Sequence, residues 1–177
     1  IRVAIYGAGP IGVKIAQFIT ERECFEIVGA IDIDPAKLGK DISELSGVNK
    51  KSGIIVKKAG DIFGKEKIDV VVLTTTSSLI KIKSQILEVL NYGINIVSTC
   101  EELSYPWKTQ PDIAREIDDV ARKNNVSVLG TGVNPGFLMD FLPLILTGVC
   151  QNVERIRVER IQDASRRRIP FQQKVGI

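Results

Sequence analysis

Short runs of Ile, Val and Leu recur along the chain at 2–6, 27–32, 54–56, 70–75, 95–99 and 127–130, each bounded by polar residues or glycine. Apolar runs of this length between turn signals predict buried strands, because a strand covered on both faces has no polar side to show. Between them, residues 11–20, 79–92 and 112–124 gather their apolar side chains on one stripe, which predicts amphipathic helices, and Gly93 stands where the second should stop. Strands and helices alternating in this order predict an α/β, doubly wound parallel sheet.

The pattern changes after Pro135 and Gly136. One apolar helix is expected over 137–149. Residues 153–161, Val-Glu-Arg-Ile-Arg-Val-Glu-Arg-Ile, then read with a period of two as a half-exposed strand of a different sheet. The expected organisation is a complete domain over 1–150 and the start of a second, α+β, substrate-handling domain over 151–177, whose last part, 162–177, has too few apolar residues to close a core. The chain opens on its first strand without a Met, and is read as a portion of a longer protein.

One turn carries chemistry. Gly7-Ala8-Gly9-Pro10-Ile11-Gly12 follows the first strand and opens the first helix, the context that gives a G-x-G-x-x-G pattern its meaning. Gly7 permits the tight turn, Gly9 lets backbone approach a pyrophosphate with no side chain between, and Gly12 lets helix and strand pack closely. Pro10 and Ile11 start the helix, whose N–H groups and dipole face the phosphates. Asp32 ends the second strand about 20 residues beyond Gly12, where a carboxylate accepts hydrogen bonds from the ribose of an adenosine. Strand, turn, helix and acid in this order predict a Rossmann-type domain holding NAD or NADP. Asp34 adds a second negative charge where NADP carries its 2′-phosphate, so NAD is the preferred cofactor, with Lys37 and Lys40 near enough in sequence to offset part of that effect.

Composition narrows the partners. The 24 basic and 21 acidic residues leave a formal charge of +3, too mild a field for nucleic acid or an anionic membrane. No apolar run approaches the ~20 residues of a membrane span, and no leader pattern opens the chain. A soluble, cytoplasmic protein acting on small molecules is expected. Cys24, Cys100 and Cys150 show no C-x-x-C spacing, so neither a disulfide framework nor a metal site is indicated. With no histidine in the chain, catalytic proton transfer falls to a carboxylate, Lys, Tyr or Cys.

Ligands of an open α/β sheet sit at the carboxyl ends of its strands. Strand four runs into Thr74-Thr75-Thr76-Ser77-Ser78, small hydroxyls that leave room for a dinucleotide and hydrogen-bond it, Ser77 or Ser78 also suiting a helix N-cap. Strand five ends in Ser98-Thr99-Cys100-Glu101-Glu102, where Ser98 and Thr99 are expected among the cofactor contacts, and strand six runs into a turn where Asn134 is placed to meet a carboxamide or the substrate.

The glycine fingerprint, the run Ser-Thr-Cys-Glu-Glu-Leu-Ser-Tyr-Pro-Trp at 98–107 and the segment 130–137 together resemble the N-terminal part of dihydrodipicolinate reductase-like proteins, most closely the 2,4-diaminopentanoate dehydrogenase and native amine dehydrogenase group. The resemblance spans nearly the whole chain, and the run at 98–107 is its most restrictive part. Asp163-Ala164-Ser165-Arg166-Arg167-Arg168-Ile169-Pro170, following a T-G-x-x-P-G segment, resembles the order found in meso-diaminopimelate dehydrogenase, another oxidative deaminase. Ordinary dihydrodipicolinate reductases end strand five in Gly-Thr-Thr-Gly, where this chain has Glu101 and Glu102 in place of the last small residue and its neighbour. The resemblance therefore implies an NAD(P)-dependent oxidoreductase of a primary amine, such as a diamino acid, yielding a carbonyl and ammonia or running in reverse as a reductive aminase. A homodimer is the expected assembly of the full-length protein. An imine or diene reductase, and a nucleotide-binding module without turnover, are the alternatives.

The glutamates suit amine chemistry. Hydride loss from a carbon bearing an amine leaves an iminium cation, which a carboxylate stabilises, and the same carboxylate activates the water that hydrolyses it. Neighbours on extended backbone point to opposite sides, so one of Glu101 and Glu102 is expected to act, Glu101 being favoured beside the strand end. Both as solvated loop carboxylates is the plain alternative. A nucleophilic role for Cys100 is disfavoured, since there is no histidine to lower its pKa and two adjacent carboxylates raise it; a small buried thiol is expected. Tyr105, Pro106 and Trp107 either cap a substrate pocket or simply pack. Arg166, Arg167 and Arg168 either bind a substrate carboxylate or form a solvated turn.

Overall fold

The computed structural model describes residues 1–46, 51–161, 163–165, 172 and 176; the arginine run at 166–168 lies outside them. The strands are β1 (Arg2–Tyr6), β2 (Glu26–Ile31), β3 (Val56–Lys57), β4 (Val70–Leu73), β5 (Asn95–Ser98) and β6 (Val128–Gly130). They form one parallel sheet in the order β3-β2-β1-β4-β5-β6. The expected doubly wound sheet is therefore present, and the direction of winding reverses between β1 and β4. That crevice is where such sheets bind ligands.

The helices are α1 (Pro10–Thr20), α2 (Leu79–Asn91), a short α3 (Pro106–Thr109), α4 (Pro111–Lys123) and α5 (Leu142–Thr147). Alternation along β1 sorts the two faces. Val3 and Ile5 pack with Val13 and Ala16 of α1, whereas Ala4 and Tyr6 pack with Ile82, Ile86 and Leu90 of α2 and Ile117 of α4. Ile82, Ile86, Val89 and Leu90 have no exposed surface, each contributing about 1.5–3 kcal/mol of burial. Gly93, at φ +68°, ends α2 as expected and donates to the Leu90 carbonyl at 2.9 Å.

Two expected elements differ. The helix expected over 137–149 is present from Phe137 and ends earlier, at Thr147; it comprises the end of a segment, Val133–Phe141, whose start is kinked at Asn134, Pro135 and Gly136, and the short α5. Gly136, at φ +124°, holds a conformation other residues rarely take, and its N–H donates to Asp140 Oδ2 at 2.7 Å. The period-two segment 153–161 forms no strand, and Ile161 is 95% exposed. A strand needs a neighbour for its N–H and C=O groups, and no described residue pairs with this one.

The loop between β2 and β3 is organised around a charge. Asp41 is buried, and its carboxylate accepts from Ser43 N (2.9 Å) and Oγ (2.7 Å), Ser52 N (3.3 Å) and Oγ (2.6 Å) and Gly53 N (2.7 Å). Burial alone pushes this carboxyl up, but the combined hydrogen bonds outweigh it and hold the group far below the ordinary aspartate value. Flanking backbone bonds, Val56 N to Lys40 O and Ile42 N to Ile54 O, lay residues 40–42 along the outer edge of β3 and so cover that edge.

A carboxyl whose pKa is depressed by folding stabilises the protein above the unfolded value of about 3.9, and that contribution is lost as pH falls below it. Asp41→Asn should lower stability by about 2–4 kcal/mol at pH 7. Denaturant titrations of both proteins between pH 7 and pH 3 should show the gap narrowing with acid; a gap independent of pH would mean that the charge is not what holds the loop.

Candidate active site at the strand ends

The ends of β1, β4, β5 and β6 are level, since Tyr6, Leu73, Ser98 and Gly130 face one another in register. The residue after each strand donates its N–H to the last carbonyl of the strand beside it: Gly7 to Ile31 (2.8 Å), Asp32 to Lys57 (3.1 Å), Thr74 to Tyr6 (2.8 Å), Thr99 to Leu73 (3.1 Å) and Thr131 to Ser98 (2.8 Å). These residues form one row along the crevice.

In the phosphate turn the three glycines play separate parts. Gly7 has φ +107°, in the region that favours glycine. A Cβ on Gly12 would sit 2.0 Å from the Gly7 carbonyl oxygen and 2.7 Å from Thr74 Oγ1, so α1 packs onto the turn only because that atom is missing. A Cβ on Gly9 would meet nothing within 4 Å. That empty space beside the backbone is the shape a pyrophosphate needs, and Pro10, having no N–H, leaves Ile11 and Gly12 to offer the first amides of α1. The residues present therefore fit a dinucleotide.

Asp32 follows β2 at the adenosine end, one residue beyond the carbonyl that holds Gly7. Its Oδ1 accepts from Ile33 N and Asp34 N, both at 2.9 Å, and its Oδ2 from Lys37 Nζ at 3.0 Å. Burial raises this carboxyl, but the amide of Asp34 and the bond and charge of Lys37 together bring it below its ordinary value. The amide and Lys37 both favour its ionised form.

The hydroxyl cluster divides its work. Thr74 Oγ1 donates to Gly7 O at 2.8 Å and clamps the turn to β4. Thr75 Oγ1 donates to Gln85 Oε1 at 2.6 Å, and Thr76 Oγ1 accepts from Ser78 N at 3.3 Å. Ser98 is fully buried, its hydroxyl donating to Leu73 O at 3.0 Å and accepting from Cys100 N at 3.1 Å; it supports the end of β5 and has no surface to offer a ligand. Cys100 is equally buried, with Sγ donating to Ser77 O at 3.2 Å.

Glu101 and Glu102 begin a turn of 3-10 helix, Glu101–Ser104, just past β5. Glu102 Oε2 accepts from Leu79 N at 2.7 Å, so the cap of α2 comes from 23 residues away and not from the side chain of Ser77 or Ser78. Both glutamates line a cavity of about 900 Å³ together with Tyr105, Gly132, Phe137 and Asp140. Trp107 and Pro106 line a separate groove of about 510 Å³ with Ile117 of α4. Only Tyr105 of the three aromatic-run residues reaches the cavity. Asn134 is exposed in the kinked segment.

Three features escaped sequence reasoning. Gly130 lies so close to the next turn that a Cβ would be 2.8 Å from the Leu103 carbonyl carbon and oxygen. Asp140 lines the cavity, and Asp41 orders its loop. Asp41-x-Ser43 and Ser52-Gly53 carried a turn signal for the last; the first two depend on distant partners that no local pattern reveals. Among the described residues no cluster is arranged to hold a metal, and no helix is long and apolar enough to cross a membrane.

Sheet order, phosphate turn and acidic residue define a dinucleotide-binding domain of Rossmann type. Within that class the chain belongs to the family described as dihydrodipicolinate reductase, N-terminus, which matches residues 1–101. It is similar to the 2,4-diaminopentanoate dehydrogenase of Acetoanaerobium sticklandii, at 34% identity over 93% of this chain and 47% of that protein. It is also similar to an amine dehydrogenase of Streptomyces virginiae, at 23% identity over 93% of this chain and 47% of that protein. The solved amine dehydrogenase structure from Mycobacterium smegmatis matches 84% of the chain and 44% of its own, with TM-score 0.77 and 29% identity. The chain thus spans about half the length of the relatives it matches.

Gly9 and Gly12 separate binding from folding. Gly9→Val fills open space, so the melting temperature should hold while NADH and NADPH binding, read by cofactor fluorescence, is abolished. Gly12→Ala meets backbone and should cost about 1–3 kcal/mol of stability. Undiminished affinity of the Gly9 variant would mean that the phosphates lie elsewhere.

Proposed function

We propose that this chain is the nucleotide-binding half of an amine dehydrogenase. The reaction converts a primary ammonium compound, water and NAD⁺ to a carbonyl, ammonium ion, NADH and a proton, and runs in reverse as reductive amination. Residues 1–150 hold the nucleotide, and 151–177 lead into the region that encloses the substrate. When bound, the nicotinamide takes up the hydride in one direction and returns it in the other.

The chain's own residues account for the remaining work. Gly7, Gly9 and Gly12 and the first amides of α1 hold the pyrophosphate. Asp32 takes the ribose, and Asp34 beside it favours NAD over NADP. Thr74, Thr75, Thr76, Ser98 and Thr99, at the ends of β4 and β5, border the dinucleotide, Ser98 as the buried brace, and Asn134 of the kinked segment is the residue proposed to meet its carboxamide. Glu101 binds the substrate ammonium and takes its proton, which passes to solvent; it stabilises the iminium left when hydride departs from the neutral amine, and then takes a proton from the water that attacks it and returns it to the departing nitrogen.

The observation that carries this reading is the bond from Leu79 N to Glu102 Oε2. It engages Glu102 at the start of α2, and the half-buried position of Glu101 on the cavity wall supports reading Glu101 as the acting carboxylate. Asp140 adds a further negative charge to that wall, which suits a cationic substrate. The names of the relatives, 2,4-diaminopentanoate dehydrogenase and amine dehydrogenase, supply the substrate class: an amine, with a diamino acid as the first to try.

In the full-length enzyme, Glu101→Gln keeps size and removes charge, and should lower turnover of an amine with NAD by about 10²–10⁴-fold. Glu102→Gln should leave turnover within a few-fold and lower the melting temperature slightly, through loss of about 1 kcal/mol at the α2 cap. Cys100→Ser should be tolerated. If both glutamine variants turn over at wild-type rates, or Cys100→Ser is the most damaging of the three, the amine mechanism is wrong.

A further inference from the structure

The helical stretch after the kink carries a single charge in an apolar sequence. From Phe137 the backbone is helical as far as Thr147, and over 137–147 the only charged residue is Asp140. Phe137, Asp140, Phe141 and Leu144 follow at the spacing that puts side chains on one face of a helix, and all four line the cavity of about 900 Å³ that Glu101 also lines. The rings of Phe137 and Phe141 lie with their centroids 6.2 Å apart. A carboxylate on such a face needs a reason. Part of it is local, since Asp140 Oδ2 accepts from Gly136 N at 2.7 Å and ties the kink to the helix. Its Oδ1 accepts no bond from any described residue. Ser104, in the same cavity wall, likewise has a buried hydroxyl with no partner among the described residues. The wall thus holds polar capacity that the fold itself leaves unused.

We propose that Asp140 determines the substrate specificity of this cavity: it binds a second, non-reacting ammonium of the substrate and so selects diamines over monoamines. This rests on the amine dehydrogenase reading and deepens it. Glu101 reaches the cavity from the turn after β5 and Asp140 from the helix after the kink. Two carboxylates from separate elements hold two ends of one molecule. The third, Glu102, is already engaged by Leu79 N, and no described lysine or arginine lines the cavity to compete for the other two. Tyr105, Phe137 and Phe141 line it as well, and an ammonium is drawn to the face of an aromatic ring. The second charge also assists the chemistry. Like charges within one molecule repel, so the ammonium at Glu101 gives up its proton more readily, while the one at Asp140 keeps its own. A monoamine occupies Glu101 alone and leaves Asp140 without a counter-ion.

The test is steady-state turnover by the full-length enzyme with NAD and 2,4-diaminopentanoate, against 2-aminopentanoate and 4-aminopentanoate, each of which lacks one of the two amino groups. The wild type should prefer the diamine in kcat/KM. Asp140→Asn keeps an oxygen for Gly136 N and removes the charge, so the melting temperature should hold while the preference falls by about 10–100-fold, mainly through KM for the diamine. Asp140→Glu keeps the charge and should retain most of the preference. Equal losses for the diamine and the monoamines in Asp140→Asn would show that the residue only holds the kink or adds to a general negative field. A wild type without the preference, or a preference that survives Asp140→Asn, would show that no second ammonium is read there; each of these overturns the proposal. Failure of the wild type to oxidise any of the three compounds, or any simple alkylamine, would instead overturn the amine reading beneath it.

Discussion

The level row of strand ends is the constraint on which the rest of the molecule depends. Each first residue past a strand is tied by its N–H to the neighbouring strand's last carbonyl, so five loops leave the sheet from one line whatever their side chains. Backbone, not side-chain chemistry, positions the crevice. That frees the residues on the row to be small, and the chain places Gly7, Thr74, Thr99 and Thr131 there. A dinucleotide laid across a sheet needs this combination of a fixed floor and little above it.

Above the floor, missing atoms do the positioning. Gly12 brings α1 onto the turn, and Gly130 brings the end of β6 against the carbonyl of Leu103. The second contact matters for chemistry because Leu103 lies in the same turn as Glu101 and Glu102. Glu102 then ties that turn to the start of α2. A turn held from β6 on one side and from α2 on the other has little freedom to move, and Glu101 is fixed by neighbours rather than by its own bonds alone.

Most of the fold was legible because it is written locally. The apolar runs of β1, β4 and β5, the stripe of α2 and the stop at Gly93 each specify an element within a few residues, and the parallel order follows from their alternation. Reading failed where an element depends on something remote. The period-two pattern over 153–161 is a strand signal, but a strand exists only with a partner, and the described residues supply none. The helix expected over 137–149 is present from Phe137 to Thr147, and the kink at Asn134, Pro135 and Gly136 lies just before it. At the site, types and positions were legible and assignments were not. Ser98 looked like a ligand contact and is an internal brace; Ser77 and Ser78 looked like caps, and the cap is Glu102. A polar side chain near a strand end has several equally local uses, and only the positions of other elements choose among them.

The charges along the crevice follow from the same geometry. At one end the two aspartates after β2 are held to one net charge by Lys37. In the middle the turn before α1 exposes amides and the positive end of a helix dipole. At the other end Glu101, Glu102 and Asp140 face a cavity to which no described lysine or arginine contributes. The crevice thus runs from a negative end through a positive turn to a second negative end, an order of charges set by where the backbone brings these residues. The two acidic ends are held differently: Asp32 is kept ionised by two amides and a lysine, while at the other end Glu102 is tied to the first amide of α2.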